Sequence, residues 1–492
     1  MSTTTTILRS LLSNLLLLSL LITESQAQQP EKPNVLFIAI DDLNDWIGAL
    51  GGYAGEVHTP NIDRLAEKGM LFTRAYCSSP MCNPSRVALW TGKRPSTTGV
   101  YGQYSQWDDN RTKNKTLFQT FKDQGYQLYG GGKIFHHGTE VRDDPAFDAI
   151  LPFTQSGHAK HAKKAGAMRY GRHHLTEEEM PDYKLVTWTI DQMNHTQEPF
   201  MLVPGIFLPH SPLWVPAKFF DLYPLESIQV PETPADEFDD IPEWGKRLAN
   251  RKVKYDPVVA SGKTAEVIQA YLAAISFTDN QVGRLIDALE ASPYAQNTIV
   301  VLWSDHGFHL GEKFHFAKST LWEESARIPC IIYAPGLTDG TNCDRPMDTI
   351  DLYPTLTDLC GLNAPDNLDG ISMRPLLQNP EMPWKPAISI LQHQNVTVRS
   401  DDFRYIRYAD GSEELYDHRK DASEHQNLAA NPEYAGRIQE LGQHIPADFA
   451  PNALPYPFHK GYIPPQIWEE YKATQSERQA DWVAPSRYTP KQ

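Results

Sequence analysis

The chain is short of three things. It holds five cysteines in 492 residues, too few for a disulfide scaffold to stand in for a hydrophobic core, and an odd number, so at least one thiol lacks an intramolecular partner. Cys77, Cys330, Cys343 and Cys360 allow three pairings or none, and spacing does not choose among them; Cys82 is the expected odd one. Basic residues are also scarce: 45 Lys and Arg stand against 61 Asp and Glu, a formal net charge of −16. That balance argues against electrostatic capture of nucleic acid or an anionic membrane, so an anionic ligand would need local positive charge. Long apolar runs are the third shortage. No segment after the N-terminus approaches the ~18 uninterrupted apolar residues of a membrane span. No low-complexity tract or internal repeat is visible. What remains is the composition of an ordinary globular protein, long enough for a large core and two domains.

Met1 to Ala27 carries one Arg, a leucine-rich run from Leu11 to Ile22, and then Ser-Gln-Ala. These are the parts of an export signal, so a mature chain starting near Gln28 and a periplasmic or secreted location are expected. The expected organisation is a signal peptide over 1–27, a catalytic domain over 28–379, and a C-terminal subdomain with a tail over 380–492.

Within the large domain a pattern recurs. Apolar runs at 34–40, 126–132, 200–208 and 297–303 read as strands, the first of them buried on both faces. Each ends in polar chemistry: Asp41-Asp42, Lys133 with His136 and His137, Pro209-His210, and Ser304-Asp305-His306-Gly307. Helical periodicity fills the gaps at 61–68, 117–124 and 265–289. Strands alternating with helices predict an α/β fold with a large, mostly parallel sheet sandwiched by helices, whose ligands gather beyond the carboxyl ends of the strands. Pro380 to Pro386 reads as a linker. Short runs at 387–391, 395–399, 404–408 and 413–416, then a helix over 432–441, predict a smaller α+β domain with a short antiparallel sheet.

The polar clusters differ in chemistry. Asp41, Asp42 and Asp305 offer hard oxygen ligands suited to Ca²⁺ or Mg²⁺, and His306 adds an imidazole. Lys133, His136, His210, Lys318 and Arg86 form a cationic set able to hold a tetrahedral oxyanion and move a proton to a leaving oxygen. His137, His309 and His315 read as loop histidines. Gly130-Gly-Gly-Lys133 is not a phosphate loop, because Ile134 stands where a metal-binding hydroxyl belongs. Cys82 precedes Asn83-Pro84, with Gly92 ten residues on. Asn83 as cap, Pro84 at the first helical position and Gly92 as the stop would set the thiol at the positive end of a helix, an anion site.

At these residues the sequence resembles the type I, formylglycine-dependent sulfatases of the alkaline-phosphatase superfamily. Their signature, Cys-x-Pro-Ser/Ala-Arg followed after four residues by Thr-Gly, is met without mismatch from Cys82 to Gly92. Further landmarks are Pro33-Asn34 with Asp41-Asp42, Thr59 to Ala66, Gly132-Lys133 with His136, Pro209-His210, Asp305 to Glu312, Lys318, and Glu414 to Asp417. The Gly-Lys-Ile-Phe-His run, Val282 to Leu285 and the His306 variant are most similar to the iduronate-2-sulfatase branch.

The resemblance implies a sulfuric ester hydrolase in which Cys82 is oxidised by a formylglycine-generating or equivalent maturase. One Ca²⁺ would be bound by Asp41, Asp42, Asp305, His306 and an oxygen of modified Cys82. It implies that one hydroxyl of the aldehyde hydrate attacks sulfur and that His210, helped by Lys318, protonates the departing oxygen. His136 would deprotonate the second hydroxyl, while Arg86 and Lys133 hold the nucleophile and spread charge. The implied substrate is a sulfated carbohydrate such as carrageenan, ulvan or a heparin-type glycan. After His210, Ser211-Pro212-Leu213 replaces the Lys-Pro-His of the iduronate enzymes, which directs the expectation away from iduronate. The alternatives are a choline- or aryl-type sulfatase, a phosphomonoester or phosphonate hydrolase, and a sulfated-glycan binder that never receives the modification.

Overall fold

The computed structural model describes residues 32–106, 114–136, 144–153 and 162–453. The expected signal peptide, His137 and the residues after 453 lie outside them. Seven strands, β1 (Asn34–Ile40), β2 (Met70–Leu71), β3 (Gln127–Gly132), β4 (Ala149–Leu151), β5 (Phe200–Ile206), β6 (Thr298–Ser304) and β7 (Cys330–Tyr333), hydrogen-bond in the order β2–β7–β6–β1–β5–β3–β4. β1 lies at the centre with all seven residues buried. It runs parallel to β6 in unbroken register from Asn34 opposite Thr298 to Ile40 opposite Ser304. It also runs parallel to β5 on its other side. β3 and β4 extend the parallel set, whereas β7 runs antiparallel to β6.

Because side chains alternate along a strand, β1 supplies two cores at once. Leu36, Ile38 and Ile40 face one helical layer, α1 (Pro60–Lys68), α4 (Pro181–His195) and α5 (Thr264–Ala291). Val35, Phe37 and Ala39 face the other, α2 (Cys82–Thr91), α3 (Leu117–Asp123) and α6 (Leu352–Leu359). This is the expected α/β sandwich.

α2 departs from expectation at its start. Helical geometry begins at Cys82, with Met81 as the extended residue before it, so Pro84 is the third helical residue. Proline is tolerated there because the N–H groups of the first turn have no intrahelical acceptor in any case. Asn83 does not cap; its side-chain amide donates to the carbonyls of Gly102 and Ser105 at 2.9 and 3.0 Å. Gly92, at φ 62°, ends the helix in the left-handed conformation that glycine adopts without strain.

The C-terminal strands β8 (Ala387–Leu391), β9 (Asn395–Arg399), β10 (Phe403–Arg407) and β11 (Glu413–Asp417) form an antiparallel meander. α7 (Ala435–Gly442) buries Leu441 against it, in one cluster with Tyr405 and Leu415. The meander also braces the approach to α2: Ile390 N–H donates to the Ser78 carbonyl at 2.9 Å. All five cysteines are free and buried. None of the four core thiols is paired, which answers the open question of their connectivity.

Candidate active site

The carboxyl edge of the parallel strands collects the polar clusters. Asp41 and Asp42 follow β1, Lys133 and His136 follow β3, His210 lies just beyond β5, and Asp305 and His306 follow β6. α2 brings Cys82 to the same edge. Lys318 arrives on a tight hairpin, His309–Leu310 paired with Phe316–Ala317.

Cys82 is the point on which these groups converge. Its Sγ lies 3.2 Å from His306 Nε2, 3.3 Å from Lys318 Nζ and 3.8 Å from Lys133 Nζ. His136 makes a side-chain hydrogen bond with it, and His210 brings a ring nitrogen within 4.8 Å. Burial alone would push the thiol up, but Lys133, Lys318 and His306 outweigh it and hold Cys82 well below the usual thiol range. Cys77, Cys330, Cys343 and Cys360 are pushed up by burial.

Around the thiol the acids are braced. Lys133 pairs with Asp41 and Lys318 with Asp42. Arg86, 1% exposed, donates from Nε to Asp305 at 2.9 Å, from Nη2 to Asp41 at 3.2 Å, and from Nη1 to the carbonyls of Lys133 and Ile134. Four of its five N–H groups are thus committed, so Arg86 fixes the carboxylates and keeps a single donor for anything else. Asp42 takes φ 64°, and its N–H donates to Asp305 Oδ1 at 3.1 Å.

The donors suit a hard divalent cation. Ligand atoms of Asp41, Cys82, Asp305 and His306 all lie within 4.8 Å of one another, as do those of Asp42, Cys82 and His210. His306 Nδ1 faces the Gly307 carbonyl at 3.0 Å and donates to it, which turns Nε2 inward, 3.4 Å from Asp42 Oδ1. The charge balance points the same way. Asp41 is raised well above the carboxylate range, chiefly by burial, with Lys133 opposing and Asp305 and Cys82 adding to it. Burial would lower His306, yet Asp305 and the other negative groups carry it up to about 9. A pocket of buried carboxylates in which protons take up the excess negative charge is one that a cation would complete.

His210 is half-buried; its Nδ1 meets the Ser211 carbonyl at 2.6 Å and its Nε2 lies 3.9 Å from Asp42. Its ring packs 4.7 Å from that of Phe207, over which Lys133 Nζ also sits at 5.6 Å. Phe207, two places before Pro209, was not singled out from the sequence, and neither was the role of Ser85, whose hydroxyl donates to the Asp305 carbonyl at 2.5 Å and ties α2 to the β6 loop. His309 and His315 hold the Lys318 hairpin rather than facing Cys82. His309 bonds Thr320 at 2.8 Å, and His315 lies between two backbone carbonyls.

A sulfatase family model matches residues 33–362, and one described as N-sulphoglucosamine sulphohydrolase, C-terminal, matches 311–448. The chain is 39% identical over 465 residues to a sulfatase of Formosa agariphila, covering 89% of this chain and 91% of that protein. It is 31% identical to the iduronate 2-sulfatase of Homo sapiens, covering 70% and 72%. In fold it is similar to the phosphonate monoester hydrolase of Agrobacterium radiobacter, with TM-score 0.69 and 22% identity, over 84% of this chain and 94% of the other. The family match spans every side chain gathered around Cys82 and is joined by kinship along nearly the whole length, so the chain belongs to the sulfatase family and is a sulfuric ester hydrolase.

Proposed function

We propose that this enzyme removes sulfate from sulfated carbohydrate, with residue 82 oxidised from cysteine to formylglycine by a separate maturase, and with one Ca²⁺ held by Asp41, Asp42, Asp305 and His306. The observation that carries this reading is the thiol itself, set at a helix start among two ammonium groups, an imidazole and three carboxylates. Bound there, calcium would draw charge from a sulfate oxygen, and the formylglycine hydrate would supply two hydroxyls on one carbon, one to attack and one to release the product.

The surrounding side chains have work that follows from their atoms. Lys318 Nζ and Lys133 Nζ, 3.3 and 3.8 Å from position 82, hold the sulfate oxygens and spread charge as the S–O bond breaks. His210, with Nδ1 donating to the Ser211 carbonyl, takes up a proton at Nε2, which Asp42 favours against burial, and delivers it to the departing sugar oxygen. His136, hydrogen-bonded to residue 82, takes the proton of its second hydroxyl. Arg86 keeps the acids in place. The leucine-rich N-terminal run supports an enzyme that is exported and meets its substrate in the periplasm or outside the cell. Kinship with an iduronate 2-sulfatase supports a sugar sulfate. The uncharged Ser211-Pro212-Leu213 turn supports a glycan of the carrageenan or ulvan kind over an iduronate.

Two measurements test this together. Mass spectrometry of the peptide carrying residue 82 should find the aldehyde. Sulfate release from a panel of carrageenan, ulvan and heparin-type oligosaccharides should exceed phosphate release from matched phosphate esters. An active preparation with an unmodified thiol would overturn the nucleophile, and preference for the phosphate esters would overturn the reaction.

A further inference from the structure

One more cation stands by the pocket without an acid of its own. Lys254 ends the short helix Arg251–Lys254, is half-buried, and has no ion-pair partner among the described residues. The segment that bears it is fastened to the hairpin that bears Lys318. His315, fully buried, joins them, its Nδ1 2.6 Å from the Ala249 carbonyl and its Nε2 3.0 Å from the Lys318 carbonyl. Tyr255 stacks on Phe316 at 5.9 Å between centroids and meets Phe314 edge-on at 5.3 Å. These contacts fix the segment that carries Lys254 against the hairpin that carries Lys318. Burial lowers its pKa, Lys318 adds to that, and Asp42 opposes. A half-buried ammonium beside another ammonium is unfavourable unless something supplies the counter-charge. Lys318 already has Asp42; Lys254 has nothing comparable.

We propose that Lys254 is a specificity-determining residue, which receives a second anionic group of the substrate, a carboxylate or a further sulfate on the sugar adjoining the ester being cleaved. This rests on the sulfated-carbohydrate reading above. It also supplies a basic group from a different segment where Ser211-Pro212-Leu213 provides none.

The test compares matured, full-length wild type with Lys254→Ala and Lys254→Arg. The substrates are nitrophenyl sulfate, a monosulfated disaccharide containing a uronate, and a disulfated disaccharide without one. For Lys254→Ala, kcat/KM should fall about tenfold to a hundredfold, mainly through KM, on a sugar whose second anion is recognised. That loss should exceed the loss on nitrophenyl sulfate by about tenfold, and Lys254→Arg should recover most of it. Loss confined to one disaccharide identifies carboxylate or sulfate as the anion. Equal losses on all three substrates, or none on either sugar, would overturn the proposal. A wild type inert on all three would instead overturn the proposed function, a result distinct from an active enzyme indifferent to Lys254.

Discussion

Around Cys82, three carboxylates meet two lysines, three histidines and a thiol, while one arginine braces the acids from behind. Beneath the C-terminal meander, Glu323 and Glu424 meet Arg404, Arg399 and His418. Both groups are buried, and both bring three or more ligating side chains within metal-binding reach. They differ in how the charge closes. Arg404, fully buried, pairs with Glu323 and Glu424 and also donates to Thr397 and to the Leu321 carbonyl. Burial would raise both glutamates, but Arg404 first among their neighbours holds them below the usual range. At Cys82 the closure is uneven: against burial, Arg86 and His306 hold Asp305 below the usual range, whereas burial raises Asp41 despite Lys133. A guanidinium fills its carboxylates with a fixed fork of donors and leaves nothing to bind. Lysines aimed partly at a thiol leave acids that still need a cation. Proximity of acids and histidines therefore does not define a metal site; the unmet charge does.

Breaking each cluster should have different consequences. Cys82→Ala is expected to lower kcat by about a thousandfold or more while cooperative unfolding persists. Turnover near the wild-type level would remove residue 82 from the chemistry. Arg404→Met attacks the other cluster and leaves two buried carboxylates without their cation, so urea unfolding should show a loss of about 3–5 kcal/mol. Sulfate release per folded molecule should stay near wild type. A variant equally stable but inactive would show that the seam serves the reaction rather than the fold.

Calcium sharpens the contrast. After chelation, restoring calcium at about a hundredfold excess over its Kd should stabilise the protein by about 3 kcal/mol, seen as a rise in Tm together with recovered turnover. Asp305→Asn should abolish most of that rise, and Glu424→Gln should retain it. The reverse pattern would place the ion in the seam.

Much of this architecture was legible from residues alone. The run at 34–40 is β1 to the residue, and the helix expected over 265–289 extends by only a few residues at its ends, because long elements carry many turns of their period. The convergence of polar groups was legible too, since a parallel sheet sends its strand ends to one edge. The sheet of Lys163–Ala165, Met168–His173 and Leu213–Pro216 was not foreseen, nor was the reversed β7. Strands of three to six residues show too little alternation to register, and their pairing is decided by packing. The commitment of Arg86 to four acceptors and the nearness of Lys254 to Lys318 were equally hidden. Both depend on which carbonyls and rings face each other across segments far apart in the chain. The Asn83 cap failed for a related reason: Gly102 and Ser105 offered its amide better partners than its own helix did.

Asp279 offers a third way to bury an acid, and the mildest test. It is 3% exposed on α5 and makes no ion pair among the described residues. It accepts from the N–H groups of Asn61 and Ile62 at 3.0 and 2.8 Å and from the Asn61 amide at 2.8 Å. Thr59 makes no side-chain cap bond, so a carboxylate from α5 satisfies the first turn of α1. Donors from a helix start compensate less than a guanidinium does, and burial, the larger influence, raises this carboxyl to about 6. A carboxyl that holds its proton more tightly folded than unfolded adds stability fully below about pH 4 and loses it as pH rises through about 6. Wild type should therefore lose on the order of 2 kcal/mol between those values that Asp279→Asn, with no proton to lose, does not. Parallel stability curves for the two proteins would mean that three N–H donors suffice to ionise a buried acid without cost. The raised Asp41, which does have a lysine, could then no longer be taken as the sign of a missing cation.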